Sequence, residues 1–130
     1  MDTKHHKHMV HTANAPEAIG TYSQAIQHYN TIYISGQLPI DKSGRNIIGN
    51  NFEEQAVQVL KNLKEVCTEA GGSLCNLAKI SVFLLDLDNY SSLNKMMVNH
   101  LQQPYPARVA IEVKRLPRDA LILMDAIMVL

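Results

Sequence analysis

Two charges near the C-terminus are where this sequence could do chemistry: Arg108, in Pro-Ala-Arg-Val-Ala-Ile-Glu-Val (106–113), and Asp125, inside the otherwise apolar run 120–130. A guanidinium is a planar fork of donors that grips a carboxylate through two parallel hydrogen bonds. A protein carboxylate can orient a water or relay a proton. Together they would suit a small ligand that carries its own carboxylate. Neither sits in a plain core pattern. Alternation puts Val109, Ile111 and Val113 on one side of the first run and Arg108, Ala110 and Glu112 on the other. In the second run Asp125 shares a face with Leu121, Leu123, Ile127 and Val129, where an ionised carboxylate is costly unless it is paired. The stretch from Lys114 to Asp119, with Leu-Pro-Arg-Asp at its centre, reads as a turn. The two runs are therefore expected to form a hairpin that brings Asp125 toward Arg108. Residue types alone leave two readings open, a ligand clamp or an ion pair that fixes an assembly.

The elements that must position these residues are legible at different strengths. The clearest is a helix from about Phe52 to Ala70. Asn51 can cap it, Glu54 stands at the reciprocal position, Phe52, Ala56, Leu60, Leu63 and Cys67 recur at helical spacing, and Gly71-Gly72 stops it. Residues 23–29 and 31–35 read as a hairpin turning at Tyr29-Asn30, and 78–87 as a buried strand. A second helix is expected from Asp88 to about Gln102, with Tyr90, Leu93, Met97 and Leu101 on one face. This order describes an α+β domain, a mixed sheet with two helices on one face. The last strand is apolar on both faces, with Ile122, Met124 and Met128 opposite Leu121, Leu123 and Ile127. The uncovered side of the sheet is therefore expected to meet another copy, with a ligand pocket between subunits.

Composition removes several alternatives. The 130 residues make one domain, expected over 11–130 behind a flexible N-terminal extension, residues 1–10. Lys plus Arg and Asp plus Glu are both 12, so no basic track is offered to a nucleic acid. No apolar run is long enough to span a bilayer, and no signal-peptide core opens the chain, so a soluble cytoplasmic protein is expected. Cys67 and Cys75 lack metal-site spacing and read as buried free thiols. His5, His6 and His8 read as part of the flexible terminus, and His28 and His100 stand alone, so no metal site is expected.

Asn-Ala-Pro-Glu-Ala-Ile-Gly-Thr-Tyr-Ser-Gln-Ala (14–25), Thr-Ile-Tyr-Ile-Ser-Gly-Gln-Leu-Pro (31–39), residues 62–74 and 82–94, and the stretch 105–130 resemble the RidA/YjgF family in a single register from about His11 to Leu130. The resemblance implies a chorismate-mutase-like fold with a mixed six-stranded sheet, assembled as a homotrimer with sites at the subunit interfaces. It implies hydrolysis of reactive 2-imino acids, 2-iminobutanoate and 2-iminopropanoate, to 2-keto acids and ammonia, without a cofactor. Carried over by position, Arg108 binds the substrate carboxylate, Tyr22 belongs to the catalytic set, and Ser35, Gly36, Asn94 and Ala110 line the substrate site. Asp125 is assigned to assisting the water.

The chain departs from the family pattern at three of these places. Thr21 replaces a proline before Tyr22, Ala110 stands where many bacterial members carry cysteine, and Asp125 stands where competent members usually carry glutamate. Aspartate is one methylene shorter, and a misplacement of about 1 Å can cost about 100-fold in rate. A second function is therefore carried alongside the first: a trimer that binds small carboxylates such as 2-keto acids with little or no turnover. A ribonuclease or translation inhibitor, also suggested by the family, fits the balanced charge less well. Tyr22 could instead pack its loop, Ser35-Gly36 could simply end a strand, and Asn94 could be an ordinary helix residue.

Overall fold

The computed structural model describes residues 6–130. Helix α1 (Phe52–Glu69) forms as its sequence dictates. The Asn51 side chain accepts from the Glu54 amide at 2.9 Å, while the Glu54 carboxylate reaches back to the Asn50 amide at 3.3 Å, one residue beyond the expected reciprocal bond. At the other end Gly71 takes φ 97°, and the Gly71 and Gly72 amides return to the carbonyls of Thr68 and Cys67. That left-handed residue is the reason a glycine stands there. The face that α1 buries includes Phe52, Ala56, Val59, Leu60, Leu63, Val66 and Cys67. Each of the larger aliphatic side chains contributes about 1.5–3 kcal/mol by leaving water.

That face lies on a six-stranded sheet in the order β1-β2-β3-β6-β4-β5. The strands are β1 (Lys7–Val10), β2 (Ala25–His28), β3 (Thr31–Gln37), β4 (Leu77–Leu84), β5 (Ala107–Glu112) and β6 (Ile122–Val129). Every neighbouring pair is antiparallel except β4 and β5. Parallel strands need a crossover, and helix α2 (Tyr90–His100) supplies it. The core joins Ile32, Ile34, Ile80, Val82, Leu84, Ile122, Met124 and Met128 of the sheet to α1 and to Leu93, Met96 and Met97 of α2. Both helices thus cover one face, as expected. Across the other face run Met9, Ile26, Tyr33, Phe83, Leu123, Ile127, Val109 and Ile111, with Met9, Tyr33, Val109 and Ile111 largely exposed.

Three expectations are corrected. The C-terminal runs are not a hairpin: β6 inserts between β3 and β4, and β4 separates it from β5. A local turn signal cannot report a strand that enters between its two arms. Residues 7–10 are not a flexible extension, because Lys7 to Val10 pair with His28 to Ala25 as an edge strand; residues 1–5, with His5, lie outside the described residues. Tyr90 does not face the core with Leu93 and Met97 but is 43% exposed. Among the described residues no helix is long and apolar enough to cross a membrane.

Candidate active site

Strand β5 lies at the sheet edge, with Arg108 beside Ile80 of β4. Ile80 is fully buried under the helices, so Arg108 points to the helix side. There it meets one face of α2. Its Nη1 donates to Asn94 Oδ1 at 2.8 Å and lies 3.5 Å from Met97 Sδ. Its Nη2 donates to the Tyr90 hydroxyl at 2.8 Å, and the guanidinium carbon is 5.2 Å from the Tyr90 ring centroid. Tyr90, Asn94 and Met97 recur at helical spacing, so a single helix face presents all three. A hollow of about 280 Å³ opens beside Arg108, walled by Asn94, Met97, Val98, Leu101, Tyr105 and Pro106. An apolar pocket with one cationic fork at its edge is suited to an organic carboxylate. Ala110, two residues along β5, shares this side and packs against the core.

The remaining candidates gather elsewhere. Ile34 pairs with Ala126 and Gln37 with Met124, so Ser35 and Gly36 bulge opposite Asp125. The bulge is filled from β6: a Cβ on Gly36 would come within 2.9 Å of Leu123 Cδ2. A side chain at position 36 would require the Leu123 side chain to shift. The Ser35 hydroxyl donates to Ser23 O at 2.6 Å and the Ser35 amide to Gln24 O at 2.9 Å, tying β3 to the segment that carries Tyr22. The Tyr22 hydroxyl accepts from the Ile19 amide at 3.4 Å. Tyr22, Ser35, Tyr33 and Lys7 wall a hollow of about 530 Å³. Asp125 lines an adjoining one of about 270 Å³ with Tyr33, Lys79 and Ser81. Among the described residues, Asp125 is the one acidic residue lining either hollow.

The seven candidates therefore fall into two groups. Arg108, Asn94 and Ala110 meet on the helix side of β5, whereas Tyr22, Ser35, Gly36 and Asp125 cluster around β3 and β6. Arg108 registers with Ile80 and Asp125 with Ser81, consecutive residues of β4 that point to opposite faces. The expected approach of Asp125 to Arg108 does not occur within the chain. Glu112, which shares the Arg108 side, accepts from the Leu87 amide at 2.9 Å and closes the turn before α2. Tyr90 and Tyr105 were missed as site residues. Tyr90, at helical spacing, reads first as core, and Tyr105, in the connection between α2 and β5, belongs to no periodic pattern.

Other reactive groups lie away from both clusters. Cys67 is a buried free thiol, and burial pushes it up to about 12. Cys75 is free but exposed, correcting the expectation that both are buried. No group of three metal-binding side chains occurs among the described residues; His6 stacks on Tyr29 at 4.4 Å. Asp41 is held down to about 2 by hydrogen bonds from Ser43 and Asn46 in its own loop.

The family model described as Endoribonuclease L-PSP matches residues 12–130. A RutC family protein of Pyrococcus abyssi is 42% identical over 121 residues, covering 93% of this chain and 95% of the relative. The 2-iminobutanoate/2-iminopropanoate deaminase of Mus musculus is 40% identical over 121 residues, covering 93% and 90%. The crystal structure of RidA from the Antarctic bacterium Psychrobacter sp. superposes with a TM-score of 0.91 at 41% identity, over 95% of this chain and 99% of that one. With the mixed sheet, the two helices and nearly the whole length matched, the chain belongs to the RidA/YjgF family.

Proposed function

We propose that this chain is a hydrolytic deaminase of 2-imino acids, converting 2-iminobutanoate and 2-iminopropanoate to 2-keto acids and ammonia, and that it works as a cytoplasmic homotrimer of chorismate-mutase-like fold. One observation supports the shared site above the rest: Arg108 and Asp125 project from opposite faces, so a ligand touched by both must lie between two copies. The exposed apolar face through Tyr33, Leu123, Ile127 and Ile111 is the surface a second copy would cover. Relatives named as imine deaminases support the substrate class.

In this reading Arg108 of one subunit holds the substrate carboxylate through its free N–H groups, and Asn94 steadies the fork. The protonated C=N bond leaves its carbon electrophilic. A water steered by the Asp125 carboxylate, with Tyr22, Ser35 and the backbone at Gly36 of a neighbouring subunit, adds to that carbon. The resulting carbinolamine transfers a proton to nitrogen and expels ammonia, leaving the 2-keto acid. No cofactor is required, and the substrate is a small acid rather than a nucleic acid, consistent with the balanced charge. Asp125 is the shortest carboxylate side chain available, which favours the second reading, a carboxylate-binding trimer with slow chemistry.

The test is 2-ketobutyrate formation from freshly generated 2-iminobutanoate by wild type, Arg108→Ala and Asp125→Glu. Acceleration that disappears in Arg108→Ala supports the deaminase, and a further gain in Asp125→Glu identifies reach as the limit. No acceleration by wild type, with 2-ketobutyrate still bound, leaves the binding reading.

A further inference from the structure

We propose that Tyr90 is a positioning residue that sets the Arg108 guanidinium for carboxylate recognition. The inference rests on the reading that Arg108 binds the substrate carboxylate.

A guanidinium has five N–H groups. Nη1 is directed at Asn94 Oδ1 and Met97 Sδ, and one N–H of Nη2 at the Tyr90 hydroxyl. Among the described residues no further partner meets the second Nη2 N–H or the Nε–H, which belong to neighbouring nitrogens on one edge of the fork. Two parallel donors on one edge are what the two oxygens of a carboxylate match. Tyr90 is the contact that fixes Nη2, the nitrogen shared between protein and ligand. Without it, rotation about the end of a long side chain must be frozen each time a ligand binds, which weakens binding.

The chemistry of the holding groups matters as much as their placement. The Tyr90 hydroxyl and the Asn94 amide are neutral acceptors, so they orient the cation without neutralising it. A carboxylate in either place would compete with the ligand for the same charge. The Tyr90 ring adds a π face 5.2 Å from the guanidinium carbon. Because Tyr90 is 43% exposed at the start of α2, the core does not explain its hydroxyl.

The experiment compares the full chain with Tyr90→Phe, which keeps the ring and removes the acceptor. Binding of 2-ketobutyrate and of its uncharged amide, 2-ketobutyramide, is measured by calorimetry beside steady-state turnover of 2-iminobutanoate. The expected result is a rise of roughly three- to tenfold in the 2-ketobutyrate Kd and in KM, with kcat within about twofold and the amide's Kd unchanged. Unchanged acid binding, or equal weakening of acid and amide, overturns the proposal. The outcomes separate it from the function above: Tyr90-dependent binding without turnover removes the deaminase and keeps Tyr90, whereas turnover indifferent to Tyr90→Phe does the reverse. A wild type that neither binds nor turns over removes both.

Discussion

Arg108 and Asp125 stand back to back across one strand, flanking consecutive residues of β4, Ile80 and Ser81, whose side chains leave the sheet in opposite directions. No rotamer change within a chain brings the guanidinium to the carboxylate. Any chemistry that uses both is a property of an assembly.

Mixing experiments expose this. Arg108→Ala is expected to lower kcat/KM by about 100-fold or more, because it removes a charge-assisted anchor. If Asp125→Asn is also impaired, co-refolding the two variants should restore sites whose two intact halves come from different chains. Random assortment would return about a quarter of the wild-type sites. Activity no higher than the average of the separate variants would show that the halves are not shared.

Gln24 holds the segment leading to Tyr22. Its buried side chain accepts from the Thr12 amide at 2.7 Å and donates to the carbonyls of Thr12 and Pro16 at 3.0 and 2.8 Å. Gln24→Leu leaves those buried backbone groups unpaired, so urea unfolding should report a loss of about 2–4 kcal/mol. Limited proteolysis should move to residues 12–22. An unchanged urea midpoint would mean that water replaces the glutamine at little cost.

The two thiols should differ in reactivity. Cys67 is raised from 9.0 to about 12, chiefly by desolvation, so at pH 8 roughly one part in ten thousand is thiolate. A thiol reagent should therefore modify one equivalent in the native protein, at exposed Cys75, and two after denaturation. Two fast equivalents in the native state would contradict the buried position of Cys67.

Asp41 should shape the acid behaviour of its loop. Its carboxyl is lowered from 3.8 to about 2 by the hydrogen bonds from Ser43 and Asn46. The folded state thus favours the ionised form, and this contribution is present above about pH 4 and is lost as pH falls toward 2. A carboxyl chemical-shift titration should place the Asp41 midpoint near 2, and the Asp41→Asn loop should lack that transition. A midpoint near 4 would mean that the hydrogen bonds do not persist in solution.

What was legible in the sequence was what local physics controls. Asn51, the spacing from Phe52 to Cys67 and Gly71-Gly72 delimited α1, because caps and periodicity act within a few residues. The β2–β3 hairpin turned at Tyr29-Asn30, where Tyr29 takes φ 55°. The C-terminal connection misled because Leu-Pro-Arg-Asp does turn the chain, with Arg118 and Asp119 both at positive φ, yet the strand it delivers passes beyond β4. Strand order follows from long-range packing that no turn motif encodes. The polar sequence Lys-His-Met-Val hid β1, since an edge strand paired on one side carries little hydrophobic signal. The division of the seven candidate residues between two faces was invisible without the register of β4. Tyr90 was hidden because helical spacing cannot tell a residue facing the core from one reaching over its rim.

Pairing of Lys7 with His28 also bears on how the protein should be handled. Lys7 walls the hollow that contains Tyr22 and belongs to the outermost strand of the sheet. Deleting residues up to His11 would strip a strand and expose the backbone edge of β2 to self-pairing between molecules. A tag fused directly before Lys7 would emerge at the rim of that hollow, so preparations differing only at the amino end are not interchangeable in ligand-binding work.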